Sequence, residues 1–492
     1  MKKLLFFGGT FDPPHIEHIN MLKSAIGEYK PDKVVVMPTY IPPHKQTVYA
    51  ASPADRLEAC RVAFGDIKNV EVSDYEIKKQ GKSYSYLTIA EVKKKYPDYE
   101  ILFLMGTDML ASFSEWKNPE EILKNATPLL CVRSGENQTA EQTINEFYAR
   151  FAIKPYLLEY VGKEVSSTEC KIYAMLGLPV SEFLSPAVEK YIADNGLYAG
   201  DEKFAFIRKN LKQERIKHTA GVIIYALKKC GYYKLDKRKV LTAALLHDCA
   251  KYLAADDYPD CEIPQGVPSA VVHQYLGAYI AEKVLGVTDE DVLNAIRYHT
   301  SGRPAMSDLE KLIFTADMLE RGRNFDGVEE LRNAADKDFE EGFKLALKRS
   351  YEFVLSSGKP VYELTGKTIE YYKRRSTMDS ATKAKIICDE LIAKKAFDVL
   401  KINVKEKTSL ADYFIIASGK STTQVGSLTE YAMEAVEKAG GEVLRKEGLD
   451  DCRWAVVDFG DVILHVFNDE TRLFYHLERL WEDGTNVEKI EG

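Results

Sequence analysis

The residues of this chain best suited to chemistry are its histidines. There are nine. His15 and His18 lie three apart where a helical pattern opens behind a glycine pair, in the run GGTFDPPHIEH. Gly8 and Gly9, followed by Thr10, let a phosphate come close to the backbone. The helix N-terminus behind them favours an anion. Residues at i and i+3 share a helix face, so both imidazoles are predicted to face one phosphate site. Nucleotidyl and phosphoryl transfer need positioning and charge stabilisation more than covalent chemistry, and two imidazoles supply both.

A second set is spread more widely: His218 in RIKHTAGV, His247 and Asp248 in AALLHDCAK, His273 in VVHQYLGA, His299 in AIRYHTSGRP and Asp317 in FTADMLE. A His-Asp pair inside an apolar helix is costly unless it meets a partner or a metal. Drawn from five predicted helices, this mixed nitrogen and oxygen set with open positions suits iron, manganese or another divalent ion better than structural zinc. Two such ions could activate water and polarise a phosphoryl group together. His465 and His476 have no such company and read as structural or interface residues. The last 110 or so residues show no nucleophile–base pair, phosphate loop or metal set. Their aromatic and charged side chains, Trp454, Phe467, Arg472, Tyr475 and Trp481, make either core or a protein-binding face.

The elements that must position these groups fall into three stretches. Residues 1–200 alternate strand and helix patterns and predict a parallel, doubly wound Rossmann-like sheet. Residues 201–375 are helical throughout. Residues 376–492 predict a small α/β domain with a mixed sheet, after a polar linker at 373–383. At 492 residues, two to four domains are expected. A net charge of −8 argues against a surface built as a whole for nucleic acid. The eight cysteines are scattered without a CxxC pair, as in a reduced, cytoplasmic chain. No apolar run approaches the roughly 18 residues of a membrane span, and LLFF is too short for a signal peptide.

The first stretch resembles the bacterial nicotinate-mononucleotide adenylyltransferases of the HxGH nucleotidyltransferase family. Beyond the two histidines, the matching residues are PPHK ending at Lys45, SYSYLT ending at Thr88, MGTDML with Gly106 and Asp108, Trp116, Arg133, and SSTECK from Ser166 to Lys171. The resemblance implies adenylyl transfer from ATP, with Mg2+, to nicotinate mononucleotide, giving deamido-NAD and pyrophosphate. By it His18 stabilises the α-phosphate and His15 helps hold the triphosphate. Asp108 and Thr88 hold ligand, Trp116 stacks on the pyridine ring, and Ser167 and Thr168 cap a helix toward the phosphates. Gly8, Gly9, Thr10, Lys45, Gly106, Arg133 and Lys171 join the binding set. An aromatic face does suit a flat heterocycle, and Ser or Thr at a helix start leaves N–H donors for anions. Three positions depart from the family: its Gly between the histidines is Glu17, its Arg closing SSTxIR is Lys171, and its Asp before Thr88 is Leu87.

The order H…HD…H…H…D in the second stretch resembles the HD-domain phosphohydrolases, closest to the bacterial symmetrical diadenosine-tetraphosphate hydrolases. That implies a di-iron or other divalent pair on His218, His247, Asp248, His273, His299 and Asp317, with Asp248 at the reaction centre and ADP as product. Lys251 and Arg303 become phosphate contacts by position. The third stretch resembles the ribosomal silencing factor (Iojap) family in SLADYFIIASGKS, Gln424, EGLDDCRWAVVDFGDVILHVF and RLFYHLERLW. That implies binding to a protein of the large ribosomal subunit through the Trp454 to Phe467 edge, and a possible homodimer. An alternative stays open: a ribosome-binding regulatory protein whose nucleotide domains act as sensors, which Glu17, Leu87 and Lys171 favour.

Overall fold

The strand Lys2–Gly9 (β1) places Leu4, Leu5, Phe6 and Phe7 in succession, all buried. A strand apolar on both faces belongs in the middle of a covered sheet. In the computed structural model β1 pairs in parallel with β2 (Lys33–Pro38) and β4 (Tyr99–Gly106). With β3 (Val70–Val72), β5 (Thr127–Arg133) and β6 (Tyr156–Gly162) the order is β3-β2-β1-β4-β5-β6, parallel throughout. This is the expected doubly wound sheet. Its order reverses between β1 and β4, where such folds open a ligand crevice beyond the strands' carboxyl ends.

Phe6, Phe103 and Met105 pack on one face of the sheet with the helix Ser85–Lys95. Phe7, Leu102 and Leu104 pack on the other with the helices Ile16–Tyr29 and Pro53–Phe64. Burying each such side chain contributes about 1.5–3 kcal/mol. β6 and the helix Asn137–Phe151 were not expected from the sequence. β6 (YLLEYVG) is an edge strand that buries only Leu158 and Gly162 and leaves Leu157 and Val161 exposed, so its apolar residues follow no inside–outside alternation.

The structure describes residues 2–41, 49–133, 137–358, 361–374, 378–408, 410–441 and 443–490. They form two compact units: Met1–Cys261 with His273–Arg297 and Glu320–Arg323, and Glu262–Val272 with Tyr298–Leu319 and Asn324–Gly492. In the first unit the helix Gln213–Lys229 buries Ile216, Ala220 and Ile223, and packs against the helices Lys237–Leu246 and Ser167–Met175. His247 and Asp248 lie in tight turns just past Leu246 rather than inside a helix, with Cys249 N–H donating to Leu246 O and Lys251 N–H to Asp248 O.

In the second unit His299 likewise follows the end of a helix and sits in a turn. The helices Asp308–Leu319, Phe339–Ser356 and Glu363–Arg374 enclose Phe314, Phe343, Leu347 and Tyr372, and the Tyr372 hydroxyl accepts from Met306 N–H at 2.8 Å. The expected linker is shorter than its composition suggested, because Asp379 accepts from Thr382 N–H (2.8 Å) and starts the helix Ser380–Ala393. A second sheet follows, built from β7 (Phe397–Asn403), β8 (Tyr413–Gly419), β9 (Arg445–Glu447), β10 (Trp454–Asp458), β11 (Val462–Asn468) and β12 (Val487–Ile490). Its order is β12-β7-β8-β11-β10-β9, and only β8 and β11 run parallel, giving the mixed sheet expected. The final helix is also broken: Asp469–Tyr475 ends at His476, whose φ of 46° turns the chain into a short 3-10 segment, Leu477–Leu480. No helix among the described residues is long and apolar enough to cross a membrane.

Candidate active sites

A cavity of about 470 Å³ opens in the first unit beyond the carboxyl ends of β1 and β4. Gly8, Gly9, Thr10, His15, His18, Thr88, Gly106, Asp108, Trp116, Ser167, Thr168 and Lys171 all line it. Of the residues expected there, Lys45 and the side chain of Arg133 lie outside the described residues.

His15 is the residue before the helix Ile16–Tyr29, and its backbone N–H donates to Nδ1 of His18 at 3.1 Å. The two rings stack with centroids 3.6 Å apart, and Phe11 supports the His18 ring edge-on at 5.1 Å. With Nδ1 accepting, the neutral His18 ring carries its proton on Nε2, which makes that atom a donor. Ser167 and Thr168 do not cap a helix. Ser166 does, one residue earlier, accepting from Glu169 N–H at 3.1 Å. Ser167 and Thr168 open the helix instead, where its unpaired N–H groups lie.

The three departures have distinct local settings. Glu17 is buried, and accepts from the Tyr160 hydroxyl (2.7 Å), Lys163 N–H (2.8 Å) and Asn20 Nδ2 (3.1 Å). Burial, then the bond to Glu17, pushes the Tyr160 phenol up to about 12. Lys171 is buried, with Nζ 2.8 Å from Asp12 Oδ2. Asp12 also accepts from the Tyr198 hydroxyl (2.8 Å) and Ala51 N–H (3.0 Å). Leu87 is exposed and outside the cavity. The buried Glu76 lines the cavity in its neighbourhood and takes the hydroxyl of Thr88.

Sequence reasoning missed Glu76, and it missed Arg56, a buried guanidinium that donates to Thr10 O (2.7 Å) and Tyr40 O (2.8 Å) and so holds the phosphate loop. At the other end, Trp116 packs beside Phe113 and Phe103, with centroids 5.2 and 6.3 Å away, and its Nε1–H reaches Ser112 Oγ at 3.4 Å.

A second cluster lies in the helical part of the first unit. His218, His247 and Asp248, all buried, bring one donor atom each to within 4.8 Å of one another. Nδ1 of His218 is 3.1 Å from Glu320 Oε1, and Nδ1 of His247 is 2.7 Å from Ala244 O. Both partners are acceptors, so each Nδ1 carries the proton and each Nε2 offers a lone pair, the arrangement of metal-ligating histidines. The donor set therefore fits a divalent ion. His273 Nε2 lies 3.2 Å from Asp248 Oδ1. Arg215, which sequence reasoning missed, reaches Asp248 at 2.8 Å, and Lys251 lies 3.6 Å away.

The second unit holds the other expected ligands. His299 is buried there, with Nε2 3.0 Å from Thr300 Oγ1, and Asp317 is half-buried on Asp308–Leu319. Arg303, expected to meet phosphate, makes a bidentate pair with the buried Glu310 at 2.6 and 2.7 Å. In the second sheet Trp454 stacks on Phe467 at 4.9 Å and Trp481 packs on Phe414 at 5.1 Å, so these aromatics are largely core. The exposed apolar residues sit beside them at Leu473, Phe474, Tyr475 and Leu480.

Comparison with known proteins follows these divisions. The cytidylyltransferase-like family matches residues 6–172, the HD domain matches 215–322, and the family described as ribosomal silencing factor during starvation matches 377–491. A probable nicotinate-nucleotide adenylyltransferase of Shouchella clausii is 31% identical over 203 residues, 41% of this chain and all of that protein. The chain belongs to the nicotinate-nucleotide adenylyltransferase family. To that family's domain it joins an HD domain and a ribosomal silencing factor domain. The HD part is 34% identical over 169 residues to a symmetrical bis(5'-nucleosyl)-tetraphosphatase of Bacillus subtilis, covering 91% of it. A Mycoplasma genitalium protein described as a probable nicotinate-nucleotide adenylyltransferase/Ap4A hydrolase has the first two parts fused. It is 28% identical over 358 residues, 70% of this chain and 97% of that one. The cavity of the adenylyltransferase part lies within its family match or at its borders, and His218 and Glu320 fall near the two ends of the HD match.

Proposed function

We propose that residues 1–200 transfer the adenylyl group of ATP to nicotinate mononucleotide. The observation that carries this reading is the single cavity with a phosphate end, made by Gly8, Gly9, His15, His18 and the start of Ser167–Met175, and an aromatic end at Trp116. A phosphate oxygen of the mononucleotide forms a bond to the α-phosphorus of ATP as the bond to the β-phosphate oxygen breaks, and pyrophosphate leaves. Nε2–H of His18 donates to the α-phosphate as charge builds there. Magnesium arrives with ATP, as part of that substrate.

Residues 201–375 hydrolyse diadenosine tetraphosphate to ADP, and residues 376–492 bind a protein of the large ribosomal subunit. His218, His247, Asp248 and His273 would hold the hydrolase metal, iron or another divalent ion. A bound divalent ion supplies an activated water and polarises the phosphoryl group. Arg215 and Lys251, beside Asp248, orient the polyphosphate.

The test of the first activity is pyrophosphate release by the full chain with magnesium, ATP and either nicotinate mononucleotide or its amide. Release with the acid, lost in His18→Ala, is expected. Release with the amide alone changes the substrate, and no release from folded protein refutes the reading.

A further inference from the structure

We propose that Glu17 reads the nucleobase, accepting a hydrogen bond from the exocyclic amino group of adenine. The inference rests on the adenylyl-transfer reading of the cavity and deepens it. The cavity extends to both sides of the end of β1. On one side it runs to Thr88, Glu76 and Trp116, which belong with the core layer of Phe6 and Phe103. On the other it runs to Glu17, Cys131, Gly162 and Lys163, at the ends of β5 and β6, over the layer of Phe7 and Leu104. With phosphates at His15 and His18 and the pyridine against Trp116, the second flat heterocycle of the reaction is left the lobe of Glu17.

Counting hydrogen bonds shows what Glu17 offers there. A carboxylate has about four acceptor sites. Oε2 takes the Tyr160 hydroxyl at 2.7 Å and Lys163 N–H at 2.8 Å, while among the described residues Oε1 takes only Asn20 Nδ2 at 3.1 Å. The remaining acceptor capacity is on Oε1, and Glu17 is part of the cavity wall. These anchors also keep the charge from swinging toward the triphosphate. The glycine that the family usually carries between its histidines has no side chain with which to make this contact.

An acceptor at that place favours adenine, whose 6-position carries an amino donor, and opposes hypoxanthine, which presents an oxygen there. The test compares kcat/KM for pyrophosphate release with ATP and with ITP, at saturating nicotinate mononucleotide, in the full chain and in Glu17→Gln. A hydrogen bond to a charged group predicts a preference for ATP of about tenfold or more. In Glu17→Gln the amide can turn its N–H toward the hypoxanthine oxygen, and the preference collapses. A purely structural role for Glu17 would lower both rates together and leave their ratio alone. Equal use of ATP and ITP by the unaltered chain overturns the inference without any substitution, so a misfolded variant cannot rescue it. An unchanged ratio in Glu17→Gln overturns it as well. No release with either triphosphate overturns adenylyl transfer and this inference together, whereas equal release overturns only the role of Glu17.

Discussion

Replacing Glu320 by glutamine tests whether the His218 cluster holds a metal. Nδ1 of His218 stands 3.1 Å from Glu320 Oε1, with the two side chains only 10% and 4% exposed, so solvent screens the pair little. A hydrogen bond to a charged group contributes about 1.5–3 kcal/mol and a neutral one about 0.5–1.5 kcal/mol. With its one carbonyl oxygen on Nδ1–H, glutamine keeps the ring oriented and loses the charge, while its amide nitrogen cannot accept from Gly322 N–H, which donates to Oε2 of the native carboxylate at 2.5 Å. The difference, about 1–1.5 kcal/mol, weakens the metal roughly tenfold. Glu320→Ala removes orientation too, and should approach the roughly hundredfold loss seen when outer-shell partners are deleted. The assay is calorimetric titration of manganese into chelator-treated full chain, with the Tm of the metal-free protein as a check on folding. Both variants binding manganese within about twofold of the unaltered chain, at unchanged metal-free Tm, would refute a metal role for this carboxylate–histidine pair.

Two further expectations concern the ribosomal silencing factor domain. Burial lowers the pKa of His465 from 6.5 to about 4, and its Nδ1 accepts from Trp454 Nε1–H at 3.3 Å. Above pH 6.5 the ring is neutral folded and unfolded, and its burial costs nothing extra. Below 6.5 the unfolded chain takes a proton that the folded one refuses until about pH 4, so stability falls across that window. The loss at pH 5 is about 2 kcal/mol, read from denaturation followed by tryptophan fluorescence at pH 7 and pH 5, and it should vanish in His465→Leu. Separately, Phe474 is 79% exposed, so Phe474→Ser should leave the Tm unchanged and abolish sedimentation with large ribosomal subunits; undiminished sedimentation would place the contact elsewhere.

Some of this was legible in the sequence because it is local. β1 carries an uninterrupted apolar run from Leu4 to Phe7, and the glycines and histidines follow it closely in the chain. What escaped was charged and distant. Glu76, Arg56, Arg215 and Glu320 look like surface residues until the fold buries or pairs them. β9 and β12 escaped because edge strands of 3 and 4 residues are too short to show a period. The end of the helix before His247 was misplaced for a different reason: Cys249 and Ala250 are buried and carry the apolar pattern on through the turn.

The bond from His15 N–H to His18 Nδ1 complicates the most obvious control in the chemistry. Deleting the imidazole at 18 takes away a phosphate donor and, in the same stroke, an acceptor that closes the first turn of its helix, which contributes about 1 kcal/mol to such ends. A dead His18→Ala variant therefore mixes two causes. His18→Asn, whose side-chain oxygen can take over the same N–H, keeps the turn closed and removes only the imidazole. The gap in rate between the two variants would separate what His18 does as scaffold from what it does as reagent.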